Sequence, residues 1–252
     1  MQIWNPWHGC HKISPGCQHC YMFRRDAEFD KDSTLVCKTA SFSLPVRKKR
    51  DGSYTLAQAE RVYACMTSDF FVEEADEWRA EAWRMIRERQ DLSFCIITKR
   101  IERFRVSLPD DWGGGYENVT VCATCENQAM ADKRLPVVRP RQFQQIADQR
   151  RHTEHFLFHS RHEPMLETVE IERYLASGKI ERVICGGESG DEARVCDYAW
   201  VLHTREQCEK YRVPFFFKQT GARFQMNGKL YFIPRKWQMA QARKANINLP
   251  AR

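Results

Sequence analysis

From residue 62 onwards, short continuous apolar runs alternate with longer segments whose apolar positions recur every three or four residues. The runs are Val62-Tyr63-Ala64-Cys65-Met66, Phe94-Cys95-Ile96-Ile97, Asn118-Val119-Thr120-Val121-Cys122, His155-Phe156-Leu157-Phe158-His159, Val183-Ile184-Cys185 and Pro214-Phe215-Phe216-Phe217. Short runs that are apolar throughout predict strands covered on both faces, as in a parallel sheet flanked by helices. Helical spacing is clearest from about Glu73 to Arg89, with Trp78, Ala82, Met85 and Ile86 on one face. Glu73, Glu74 and Asp76 open that segment and Arg87 and Arg89 close it, the arrangement a helix dipole favours. A helix carrying Ile171, Tyr174 and Leu175 and another from about Tyr198 to Tyr211 continue the alternation. The pattern predicts an α/β fold, a partial or near-complete (β/α) barrel with parallel strands.

Polar residues stand where these strands end: Asp69, Thr98 to Arg100, Glu126, Glu163, Glu188 and Lys218. In β/α barrels that end carries the active site, so the pattern predicts a polar mouth. Asp51-Gly52 and Asn227-Gly228 predict tight turns. The basic segment from Arg235 to Lys244 reads as a helix that caps the barrel or holds a phosphate. Residues 136–154 are polar and basic, and read as a surface insertion or an RNA-contacting segment. The expectation is one domain over residues 1–252 with a basic extension from about 221.

Composition narrows the class. The chain has 252 residues, 42% hydrophobic and 29% charged, enough for a sizeable core. No apolar run approaches the roughly 20 residues of a membrane span. The first residues lack the pattern of a signal peptide, so a cytoplasmic protein is expected. Eleven cysteines, most of them scattered in apolar runs, suggest free thiols and no disulfide framework. Cys122-Ala123-Thr124-Cys125 is a C-x2-C in a strand-like run, where alternate residues face opposite ways, which disfavours a metal site there. A net charge of +7 suits an anionic partner such as a nucleotide or RNA, and equally a mildly basic enzyme. Neither a Rossmann fingerprint nor a P-loop is present.

The densest chemistry precedes all of this. Cys10, Cys17 and Cys20 fall in eleven residues, spaced C-x6-C-x2-C, with glycine and proline between them. A loop of that composition brings thiolates together for a soft metal or an iron–sulfur cluster. Four cysteines would close a site, whereas three leave one iron of a four-iron cluster open. Two alternatives stay open at this point. A zinc ion could recruit His8, His11 or His19, and Cys17-Gln18-His19-Cys20 could be a redox pair.

The cysteine segment, with Tyr21 directly after it and Gly186-Gly187-Glu188 further on, resembles the radical S-adenosylmethionine superfamily, in a variant of its commoner C-x3-C-x2-C spacing. Trp-Asn-Pro-Trp-x-Gly-Cys, Ser-Pro-Gly-Cys-x-x-Cys-Tyr, Thr-Lys-Arg, Glu-Asn-Gln, Gly-Gly-Glu-Ser and Phe-Phe-Lys-Gln-Thr-Gly together resemble a phage-associated family long labelled as of unknown function. Its clostridial-type version, with Ser68-Asp69-Phe70-Phe71, Thr98-Lys99-Arg100-Ile101 and the tail at 241–246, is similar to queuine lyase. The resemblance implies a [4Fe-4S] cluster on Cys10, Cys17 and Cys20, and S-adenosylmethionine near Tyr21, Gly186 and Gly187; Thr98, Lys99 and Arg100, after the third strand, are an alternative anchor for its carboxylate, or else helix-start residues and surface charges. It implies release of queuine from queuosine or its 5′-phosphate, and an electron donor such as flavodoxin or ferredoxin. No stable nucleic-acid partner and no membrane are expected. Asp69 is the candidate grip on a ribose hydroxyl, or else the cap of the following helix. Glu188 faces the substrate, or else belongs to a tight turn, and Lys218 or Arg100 would take a 5′-phosphate. The competing class is a metal-bearing nucleic-acid-binding module without catalysis.

Overall fold

The computed structural model describes residues 2–58, 60–138 and 157–250. Seven strands form one sheet in the order β1 (Gln2–Trp4), β4 (Arg61–Ala64), β5 (Ser93–Thr98), β6 (Val119–Thr124), β7 (Leu157–His162), β8 (Arg182–Gly186) and β10 (Phe215–Gln219). The pairs β1/β4, β4/β5, β7/β8 and β8/β10 are parallel. Strand order follows chain order without reversal. That is the singly wound order of a partial β/α barrel, and it lacks the switch point of a doubly wound sheet. Among the described residues, no helix is long and apolar enough to cross a membrane. The chain divides into two compact units, the first built on Met1–His11 and Met22–Cys122, the second on Lys12–Tyr21, Ala123–Arg139 and Phe158–Arg252.

In the first unit, β6 begins as a strand buried at every position, in keeping with a sequence that has no charged residue. Its neighbour β5 is nearly as buried. The edge strand β1 is an addition to the expected set. Its register sets Trp4 against Ala64, and the fully buried Trp4 indole donates to the carbonyls of Ser41 and Phe42 at 3.1 and 3.0 Å. Three residues are too few to show a strand period, so packing of one tryptophan decides the matter. A two-residue ladder joins β2 (Trp7–His8) to β3 (Cys37–Lys38). After α1 (Tyr21–Ala27), the long expected helix appears as a 3-10 turn at Glu73–Ala75 and then α2 (Asp76–Glu88). Its buried face carries Arg79, Ala82, Trp83, Met85 and Ile86, so Trp83 takes the place expected of Trp78. The shift follows from Trp83 stacking edge-on against Phe70 and Trp112, and from Arg79 donating to the carbonyls of Phe70 and Val72. The Asp51-Gly52 turn is present, with Lys48 bridged to Tyr54.

In the second unit, β7 runs on to His162, past the expected end at His159, while the expected start at His155 lies outside the described residues. Residues 139–156, most of the polar and basic segment, also lie outside them. The helices α3 (Gln128–Arg134), α4 (Glu172–Leu175) and α5 (Tyr198–Lys210) follow β6, β7 and β9 (Val195–Asp197). The hairpin β11 (Arg223–Met226) and β12 (Lys229–Phe232) turns at Asn227-Gly228, both with positive φ, as the sequence predicts. Helix α6 (Arg235–Lys244) packs along β10, and its Gln238 carbonyl accepts from the Thr220 amide.

Candidate functional site at the strand carboxyl ends

The first unit gathers Asp69, Thr98, Lys99, Arg100 and Cys10. Asp69 is 5% exposed. One of its carboxylate oxygens accepts from Thr98 Oγ1 at 2.7 Å and from the Phe71 amide at 3.0 Å, and the other accepts from the Lys99 amide at 2.9 Å. Its carbonyl accepts from Trp7 Nε1 at 3.0 Å. Asp69 therefore ties together the ends of β4 and β5 and fixes the turn that carries Thr98 to Arg100. It does not cap the helix after it, whose 3-10 start has Val72 at the cap. Thr98 Oγ1 accepts in turn from the Arg100 amide at 2.8 Å, which closes the turn.

Arg100 reaches the first cysteine. Its Nη1 lies 3.4 Å from Cys10 Sγ, and its Nη2 donates to the His11 carbonyl at 3.0 Å. The Asp69 carboxylate stands 3.8 Å from the same Nη1. The backbone at Cys10 is independently fixed. Its amide donates to the Ser33 carbonyl at 2.8 Å, and Gly9, at φ +98°, lies where any Cβ would meet the Leu35 carbonyl oxygen at 2.3 Å. Ser33 is held by Asp26, which also pairs with His8 at 2.9 Å. Two further histidines of the segment bond to carboxylates, His11 to Glu74 in this unit and His19 to Glu192 in the second. Carboxylate partners of this kind occur on both plain and metal-bound histidines, so they leave the zinc alternative where the sequence left it.

The second unit carries Cys17, Cys20 and Tyr21. Pro15–Cys17 forms a 3-10 turn, and the Cys20 amide donates to the Cys17 carbonyl at 3.3 Å. Two charged groups hold this turn from the strand ends. Glu126, fully buried, accepts from the Gly16 amide at 3.0 Å and from Arg134 Nη1 at 2.7 Å. Glycine at 16 lets the buried Glu126 carboxyl come close, since a Cβ there would lie 2.9 Å from its carboxyl carbon and the Glu126 side chain would have to shift. Glu188 takes two nitrogens of Arg194, at 3.0 and 2.7 Å, along with the Arg194 amide. The same guanidinium reaches on to the Pro15 carbonyl at 3.0 Å and to Gln18 Oε1 at 3.3 Å. Glu188 thus acts on the cysteine turn through Arg194.

Glu163 lies between Arg161 and Lys218, accepting from Lys218 Nζ at 2.7 Å. Burial alone would raise the Glu163 carboxyl, but the two cations outweigh it and hold it below the usual carboxylate range. Burial lowers the Lys218 ammonium, with Glu163 opposing. The Tyr21 hydroxyl is pushed up to about 12 by burial and by Cys20, although 41% of the residue's surface is open. Gly186 and Gly187 let β8 and β10 approach at their ends. A Cβ on Gly187 would come 2.2 Å from the Thr220 carbonyl oxygen. The Gly187 amide donates to the Gln219 carbonyl at 3.1 Å, so this glycine pair is a packing device as well as a turn.

None of the eleven cysteines is in a disulfide. Burial pushes the Cys125, Cys196 and Cys208 thiols up to about 12, and those of Cys65 and Cys185 well above their ordinary value. Cys10 and Cys20 keep part of their surface open. Among the described residues, no three Cys, His, Asp or Glu side chains are gathered as ligands of one ion. A four-iron cluster spreads its protein ligands over separate irons, so its cysteines do not converge on one point as zinc ligands do. Thiols are the donors such a cluster takes; in the first unit Cys10 lies under the Arg100 guanidinium, and in the second the turn of Cys17 and Cys20 is tied to the buried Glu126.

The sequence singled out Cys10, Cys17, Cys20, Tyr21, Asp69, Thr98 to Arg100, Gly186 to Glu188 and Lys218. The structure links the residues within each unit as described. It adds Arg194, Arg134 and Arg161, which have no motif to mark them. Glu126 was visible only as a polar strand end. These features define the class: a parallel α/β protein of singly wound order, with charged side chains at the strand ends bonded to a cysteine segment. The chain belongs to the family described as "Protein of unknown function (DUF5131)", which matches residues 1–247. No curated protein and no solved structure matches it.

Proposed function

We propose that this chain is a radical S-adenosylmethionine lyase that releases queuine from queuosine or queuosine 5′-phosphate. The observation that carries the reading is the cysteine segment. Buried or nearly buried charged groups are spent on it, Arg100 on Cys10 and His11 in one unit, Glu126 on Gly16 in the other. A solvated loop has no need of such partners. Cys10, Cys17 and Cys20 would hold a [4Fe-4S] cluster, with S-adenosylmethionine beside Tyr21. When bound and reduced, that pair supplies a deoxyadenosyl radical able to take a hydrogen from a ribose.

The chain's own residues provide the rest. Asp69 fixes Thr98 and Lys99 as an anchor for the cofactor carboxylate. Glu188 and Arg194 hold the cysteine turn. Arg161 and Lys218, two cations around one carboxylate, offer the excess positive charge that a 5′-phosphate needs. Radical cleavage also suits the substrate class. A 7-deazaguanine lacks the ring nitrogen whose protonation helps ordinary hydrolysis of the glycosidic bond, which a hydrolase would otherwise exploit through acid catalysis.

The test is anaerobic reconstitution followed by incubation with S-adenosylmethionine, reductant and ribose-deuterated queuosine. Brown protein with about four iron per chain is expected, with queuine released and deuterium recovered in 5′-deoxyadenosine. Alanine at Cys10, Cys17 or Cys20 should abolish iron binding, whereas Cys122→Ala and Cys125→Ala should retain it. Queuine release without S-adenosylmethionine, or without label transfer from any ribose position, would return the protein to the hydrolases. Colourless protein carrying zinc and no turnover would favour the metal-bearing binding module.

A further inference from the structure

We infer that Arg100 is a positioning residue that raises the reduction potential of the cluster held by Cys10. The inference rests on the cluster reading above. It arises from one contact that the sequence could not show, the 3.4 Å approach of Arg100 Nη1 to Cys10 Sγ.

Arg100 is locked in place from both ends. Its amide bonds to Thr98 Oγ1 at 2.8 Å, and its Nη2 to the His11 carbonyl at 3.0 Å. Its side chain is 9% exposed, so its charge is poorly screened by solvent. The Asp69 carboxylate, 3.8 Å from Nη1, orients the guanidinium and offsets part of its charge. The carboxylate is itself tied up by Thr98 and the Lys99 amide, so the group that meets the sulfur is the cation. One-electron reduction adds a negative charge that spreads onto the thiolate sulfurs, and no bond to Cys10 is made or broken. A donor and a positive charge at that sulfur stabilise the reduced form, and hydrogen bonds to cluster sulfurs are among the determinants of potential. Arg100 is thereby committed to the cysteine, and the cofactor carboxylate falls to Thr98 and Lys99.

The experiment uses the full chain, reconstituted anaerobically, as wild type, Arg100→Met, Arg100→Gln and Arg100→Lys. Each is titrated potentiometrically with dithionite, the reduced state is followed by electron paramagnetic resonance, and iron per chain is measured alongside. In Arg100→Met the ratio of reduced to oxidised cluster at a fixed potential should fall about tenfold, which is about 59 mV for a one-electron couple. Arg100→Lys, which keeps the charge without the planar fork, should recover part of that loss. An iron-replete Met variant with the wild-type potential overturns the inference and leaves the cluster reading standing. If the Met variant takes up no iron, Arg100→Gln, polar but uncharged, is judged by the same two results. A wild type that takes up no iron overturns both.

Discussion

Glu126 has no water-exposed surface, and its carboxylate accepts from groups of different kind, the amide of Gly16 and the guanidinium of Arg134. Arg134 is equally buried and donates also to the Thr124 carbonyl, and among the described residues its Nε and Nη2 have no hydrogen-bond partner. Neutralising Glu126 therefore leaves a buried cation with little to compensate it. Glu126→Gln should cost about 3–5 kcal/mol in urea unfolding, the range found when one member of a buried pair is removed. A cost under about 1 kcal/mol would mean the pair is solvated. The sequence gives little warning of this. Glu126 stands out as a polar residue at a strand end, but Gly16 is 110 positions away, and no local period couples them. Cys10, Cys17 and Cys20 stand out in the sequence because their signal is spacing along the chain. Arg194 does not, because its role comes from Glu188 folding back on it.

At the scale of elements, the strand ends that meet are closer than ordinary side chains allow. Gly187→Ala would put a methyl group on the Thr220 carbonyl oxygen, at 2.2 Å, with Cys196 Cβ at 2.9 Å on another side. Backbone cannot rotate aside as a lysine tip can, so the ends of β8 and β10 must separate. Overpacking of this kind costs about 1–3 kcal/mol, and a lowered thermal midpoint is expected, whereas Gly52→Ala, with nothing within 4 Å of the added carbon, meets no such overlap. Gly52 has positive φ, +84°, so a modest cost remains there. The longer elements were legible: β5, β6, α2 and α5 fall within a few residues of their expected bounds. The short ones were not. β1, β2, β3 and β9 are two or three residues each, too few for a period of two to repeat, and only their pairing partners, distant in sequence, make them strands.

Stability of the molecule as a whole should depend on acidity through His162. It is fully buried, hydrogen-bonded to Ser160 at 3.0 Å, and held down to about 4 by burial, with Cys125 and Glu126 opposing. The unfolded chain, with an ordinary histidine near 6.5, binds a proton in the window where the folded chain refuses it. Stability is thus full above 6.5 and falls as the pH drops towards 4, by about 2 kcal/mol at pH 5. Urea unfolding at pH 7.5 and 5.0 measures the loss, and His162→Gln should flatten it. An unchanged slope in that variant would place the acid sensitivity in another group; Glu163, held below the usual carboxylate range, gives way only at lower pH. Burial has one more effect, on the other titrating sulfurs. Cys65, Cys125, Cys185, Cys196 and Cys208 stay protonated at neutral pH, and a protonated sulfur is neither a nucleophile nor a ligand. In a cell where iron, copper, zinc and electrophiles compete for thiols, these five do not enter the contest. For these five thiols, access decides before affinity has any say.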